Sequence, residues 1–130
     1  MTDTVTTRTK TRIFPGSPDQ VVHARQFVRR VLAGHPVADD AVLLASELAT
    51  NAVIHTASGS GGTFAVSVRQ HGAMVRIEVW DAGAVTAPVA QLPDREREGG
   101  VGLGLVEAIA ARWGYLGDQD GRVVWFEVER

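Results

Sequence analysis

Ala38-Asp-Asp-Ala-Val-Leu-Leu-Ala-Ser-Glu47-Leu-Ala-Thr-Asn51-Ala-Val-Ile-His55 is the stretch whose reading decides the fold. It reads as one helix. Asp39 and Asp40 occupy the first turn, where acidic side chains favour the helix dipole. Ala41, Leu44, Ala45, Leu48 and Ala52 fall on one face, and most of the interior from Ala41 to Ile54 is apolar. Against this background Glu47, Asn51 and His55 recur at i, i+4 and i+8, so all three project from one line. Such a line can be the solvated face of an amphipathic helix. It can equally present oxygen to a hard cation such as Mg²⁺, which takes oxygen ligands in octahedral geometry.

Outward from this helix the pattern changes. Before it, Ser17 is a candidate N-cap with Pro18 at the first helical position, and an apolar stripe follows, so a helix is predicted near 18–33, closed by Gly34. Arg12-Ile13-Phe14 opens a first strand stopped by Pro15-Gly16. Residues 1–10 are polar and rich in threonine, and are expected to be a flexible tail ahead of a domain over 11–130. After the second helix, Ser58–Gly62 is a loop. Thr63–Gln70 and Ala73–Trp80 then alternate apolar and polar residues about His71-Gly72, the pattern of an antiparallel hairpin. Asp81 to Glu98 has no period and holds two prolines and the cluster Asp94-Arg95-Glu96-Arg97-Glu98. A lid over Ala84 to Glu98 is expected. A glycine run, a helix over Leu105 to Trp113 and a last strand over Arg122 to Glu129 complete the chain. This order predicts an α+β two-layer sandwich, with helices on one face of a mixed, mostly antiparallel sheet.

Composition bounds the function. The 130 residues carry a net charge of -2, with 45% hydrophobic and 22% charged residues. These values suit one globular domain and lack the basic excess of a general nucleic-acid binder. Zero cysteines exclude a disulfide scaffold and thiolate metal sites. No apolar run reaches the ~18 residues of a membrane helix, and no signal peptide is expected because the first residues contain no apolar core.

Two further places break the local pattern. Asp81-Ala82-Gly83 ends a strand. It can be an Asx turn, or it can offer a carboxylate acceptor to a base amino group with Gly83 admitting a flat ring. Gly99-Gly100-Val101-Gly102-Leu103-Gly104 precedes a helix. It can be a hinge, or its backbone N–H groups can hold phosphates.

Taken in order, Glu47 to His55, Asp81-Ala-Gly83 and Gly100 to Gly104 resemble the N, G1 and G2 boxes of the GHKL (Bergerat-fold) ATPases, over about residues 12–129. The wording Glu47-Leu-Ala-Thr-Asn51-Ala-Val-Ile-His55 is similar to that of small anti-sigma-factor serine/threonine kinases of the actinobacterial type. The resemblance implies the histidine-kinase-like ATPase fold, with ATP and Mg²⁺ as cofactors. It implies Glu47 as general base, Asn51 as Mg²⁺ ligand and His55 near phosphate. Asp81 takes the adenine amino group over Gly83, and Gly100, Val101, Gly102, Leu103 and Gly104 form the lid hinge and phosphate-binding backbone. The implied partners are a sigma factor or an anti-anti-sigma (STAS-type) protein in the cytoplasm, with no direct contact to nucleic acid or membrane. A homodimer is left open.

The sequence departs from the kinase pattern in three places. Glu98-Gly99 stands where kinase relatives carry a lid arginine, Val101 where small relatives often have a basic residue, and Val123 where a threonine helps hold adenine through water. These departures weigh against efficient phosphoryl transfer, while the resemblance as a whole implies an ATP-binding anti-sigma-factor-type regulator that phosphorylates Ser/Thr on a small anti-anti-sigma partner. A catalytically weak, nucleotide-gated binding module is the alternative.

Overall fold

The computed structural model describes residues 6–55, 61–81, 101–118 and 121–130. Strand β1 (Thr7–Pro15) leads through a 3₁₀ turn at Pro18–Gln20 into α1 (Val21–Val31) and α2 (Ala38–His55). The hairpin β2 (Thr63–His71) and β3 (Met74–Asp81) follows, then α3 (Val101–Ile109), β4 (Arg112–Asp118) and β5 (Gly121–Glu129). The expected lid over Ala84 to Glu98 lies outside the described residues, as do Gly83 and Gly100.

Five strands form one sheet in the order β1-β2-β3-β5-β4, and every pairing is antiparallel. The expected α+β class with helices on a sheet holds, and among the described residues the sheet is wholly antiparallel where a mixed, mostly antiparallel one was expected. The chain reaches the far edge as β4 and turns back as β5 between β4 and β3, so β5 runs against both neighbours. The β2–β3 turn pairs His71 with Met74 around Gly72, whose φ of 63° suits a glycine at the first turn position.

Three expected boundaries shift. Residues 7–10, assigned to the polar tail, pair along β2 from Thr7↔His71 to Lys10↔Val68. Threonine is a good strand former, and backbone pairing extends an edge strand whose side chains are almost all exposed. The first α-helix begins only at Val21, after the 3₁₀ turn. The third begins at Val101 and ends at Ile109, so Gly102 and Gly104 lie inside it, and Trp113 belongs to β4 opposite Phe126. Glycine in a helix costs about 1 kcal/mol relative to alanine. Burial of Val106 and packing of Leu105 and Ile109 on the core offset that cost. Ala111 N–H then donates to the Glu127 carbonyl at 2.8 Å and draws the chain into the sheet.

The core lies between the helices and one sheet face. Helix α2 buries Ala41, Val42, Leu44, Ala45, Leu48, Ala49, Ala52 and Val53, and packs on β3 and α3. The sheet presents Val66, Val68, Val75, Ile77, Val79 and Phe126, all fully buried. Phe14 stacks on Phe64 with centroids 5.4 Å apart and meets Phe27 edge-on at 6.0 Å. No helix among the described residues is long and apolar enough to cross a membrane.

The opposite sheet face is held by charge. The Arg76 guanidinium lies 4.0 Å from the Trp125 ring centroid and donates to Glu78 at 2.8 Å and Glu127 at 3.0 Å. Arg112 donates to Glu127 at 2.6 Å and Glu129 at 3.0 Å. Burial pushes the Glu127 carboxyl up, but the hydrogen bonds from Arg112 and Arg76 outweigh it and hold it below its ordinary value of 4.5. A depressed carboxyl stabilises the fold above that ordinary value, and the contribution fades as pH falls through the lower folded value. Urea unfolding should therefore show wild type losing stability on acidification from about pH 5 to about pH 3. Glu127→Gln should lose less over the same interval, and parallel pH profiles would refute the assignment.

Candidate functional site

The line predicted on α2 survives folding. Glu47 and Asn51 sit one turn apart, both half-buried, on a helix whose other faces supply much of the core. His55 ends the helix, and its side chain lies outside the described residues. On one flank of Glu47, an open groove of about 460 Å³ runs between α1 and α2, lined by Arg25, Arg29, Ser46 and Glu47 among others. Arg25 Nη2 donates to Ser46 Oγ at 3.1 Å, which fixes one guanidinium at this groove. Arg29 reaches the exposed Asp39 at 3.7 Å. A hydroxyl presented from outside can enter this groove and meet a carboxylate.

The strand that α2 covers supplies Asp81. Val75, Ile77, Val79 and Asp81 alternate onto the core-facing side of β3, so the carboxylate is placed by the same period that builds the core. Directly opposite in register stands Arg122 of β5. Arg122 Nε donates to Asp81 Oδ2 at 3.1 Å, with side chains 4% and 1% exposed respectively. Arg122 is the one charged residue that is buried as a whole among the described residues. Its Nη1 is buried and has no hydrogen-bond partner among them.

Arg122 is the buried partner of Asp81 that the sequence reading missed. Attention there fell on Val123 as a lost threonine. In this register Val123 pairs with Trp80 and Leu116, on the face away from the core, whereas Arg122 shares the face of Asp81. The signal was available: a β5 alternation with Val124, Phe126 and Val128 inward puts position 122 inward too. Gly117 guards the same spot. It stands opposite Arg122 with φ 117°, and an added Cβ would lie 2.4 Å from Arg122 Cα. No side chain fits there without moving Arg122.

The glycine run is placed in part. Val101, Gly102 and Leu103 form the first turn of α3, with side chains outside the described residues. Gly104 follows, half-buried. Helix α3 packs on α2, the helix that bears Glu47 and Asn51, and its N-terminus has positive dipole character. Among the described residues no three His, Cys, Asp or Glu cluster to hold a metal. Mg²⁺ does not require such a cage, since it usually keeps waters and binds through one or two protein oxygens plus phosphates. A half-buried Asn51 fits that mode. The orphaned Arg122 Nη1 beside the Asp81 carboxylate likewise fits a ligand edge carrying both a donor and an acceptor.

Comparison with known families finds that the histidine kinase-like ATPase domain matches residues 14–128, nearly the whole chain, and the chain belongs to that family. The match implies ATP binding. Comparison with the curated proteins finds no match.

The buried pair also makes a stability prediction. Removing one partner leaves an uncompensated charge and typically costs about 3–5 kcal/mol. In urea melts Arg122→Met should lose about that much. Arg122→Lys should lose much less, because it keeps a countercharge for Asp81. Equal, small losses would mean that the pair is solvated.

Proposed function

We propose that this histidine kinase-like ATPase domain is a cytoplasmic ATP-binding regulator that phosphorylates a serine or threonine on a small anti-anti-sigma (STAS-type) partner and, through that partner, acts on a sigma factor. The observation that carries the reading is the α2 line: Glu47 and Asn51 half-buried on a core helix, beside a groove open to an incoming hydroxyl and above the strand that ends at Asp81. Phosphoryl transfer asks little covalent chemistry of a protein. It asks for positioning, charge neutralisation and a base for the nucleophile.

The roles are those the resemblance implies. Asp81 would accept from the adenine amino group, and Asn51 would hold Mg²⁺. When bound, the ion would neutralise phosphate charge. The first turn of α3 offers backbone N–H groups to phosphate oxygens. Glu47 takes the proton of the attacking hydroxyl as its oxygen bonds to the γ-phosphorus and the bond to ADP breaks. Arg25 and Arg29 share the groove with Asp39 and Glu47, so its lining carries both signs of charge. Glu98, standing where kinase relatives carry an arginine, favours a second reading in which bound nucleotide only sets a surface for the partner.

The two variants should fail differently. Asn51→Ala should weaken ATP binding in magnesium and matter less in EDTA, as calorimetry can measure. Glu47→Gln keeps the shape and deletes the base. It should bind Mg-ATP almost as wild type does yet transfer phosphate about 10²–10⁴-fold more slowly to a partner captured with ATP. Equal transfer rates for wild type and Glu47→Gln would leave the nucleotide-gated binding module in place of the kinase.

A further inference from the structure

We propose that Arg122 is a base-reading residue whose Nη1 donates to the N1 ring nitrogen of adenine, making Asp81 and Arg122 a two-point reader of the purine edge. The inference rests on the nucleotide-binding reading given above and adds a residue to it.

Three observations carry it. Arg122 Nη1 is buried and without a hydrogen-bond partner among the described residues, on a side chain only 4% exposed. Leaving such a donor unsatisfied is costly, and native proteins rarely tolerate it without a reason. The guanidinium is also held, because Nε donates to Asp81 Oδ2 at 3.1 Å. Finally, Arg122 and Asp81 are register partners on one face of the sheet, so donor and acceptor stand side by side.

The edge that matches is adenine's. Its 6-amino group donates, and the adjacent N1 accepts. A carboxylate oxygen has lone pairs beyond the one engaged by Arg122, so pairing with Arg122 does not exhaust Asp81 as an acceptor. Guanine and hypoxanthine reverse both positions. Their 6-oxygen would face the carboxylate, and their N1–H would face the guanidinium. Both contacts repel, and buried polar groups left unpaired are a strong basis for discrimination. Arg122 thereby supplies, from position 122, a direct donor on the side of the sheet that Val123 does not face.

The test is calorimetric binding of ADP, 1-deaza-ADP, 7-deaza-ADP and IDP to wild type and to Arg122→Lys. The lysine variant keeps the countercharge to Asp81 and loses the second arm of the fork. Wild type should bind 1-deaza-ADP roughly ten- to a hundred-fold more weakly than ADP, the usual range for losing a hydrogen bond to a charged donor, and 7-deaza-ADP about equally. Arg122→Lys should bind ADP more weakly than wild type, no longer distinguish ADP from 1-deaza-ADP, and discriminate less against IDP. Wild type that binds ADP and 1-deaza-ADP alike would overturn the inference while leaving nucleotide binding intact, with a buried water as the partner of Nη1. Loss with 7-deaza-ADP alone would overturn it too, by moving the contact to the other ring. Wild type that binds none of these nucleotides would overturn the nucleotide-binding reading itself. The 1-deaza comparison is made on wild-type protein, so it stands even if the lysine variant folds poorly.

Discussion

The close seating of α2 on the sheet is the constraint from which the rest follows. Alanines at 41, 45, 49 and 52 line its buried side, alongside Leu44 and Leu48. Small side chains let the helix backbone approach β3, and the valines and isoleucine of the strands fill the layer beneath. Once those residues face down, helical geometry leaves no freedom for Glu47 and Asn51. They must emerge on the upper flank, half-buried, on successive turns. The polar line of Glu47 and Asn51 is thus a by-product of core packing, and a change that rotates α2 would move both residues together.

The sheet treats charge differently on its two faces. Outside, Arg76, Arg112, Glu78, Glu127 and Glu129 form a network open to solvent at its rim, where screening keeps each pair modest. Inside, Asp81 and Arg122 are removed from water, where a lone charge would be costly and a matched pair is tolerated. The chemistry is the same, carboxylate against guanidinium, and the setting decides its role. The outer network braces β3, β5 and β4. The inner pair stands at the end of β3 where the apolar alternation runs out, and it keeps a donor unspent.

That placement connects fold to function. The chain belongs to a family of ATPase domains, and the Asp81–Arg122 pair sets charge inside an otherwise apolar layer. The pair is built from two strands in register, and Gly117 lets the backbone of a third strand approach Arg122 closely. Helix α3 packs on α2 and α2 packs on β3, so the elements that carry the glycines, Glu47 with Asn51, and Asp81 are joined by contact.

Much of this was legible in the sequence. The helix 38–55 with its i, i+4 line, the hairpin about Gly72 and the two-layer α+β class all follow from periodicity, which is a local property. The resemblance of three ordered boxes supplied the family, because their spacing is carried by the chain itself. What the sequence could not hold was register. The alternation of β5 puts Arg122 inward, but that Asp81 is its partner depends on how β5 aligns with β3. The wholly antiparallel sheet, the extension of β1 back to Thr7 and the early start of α3 are of the same kind. Each depends on pairing or burial against residues distant in the chain, and those energies outweigh the local preferences that a linear reading can see.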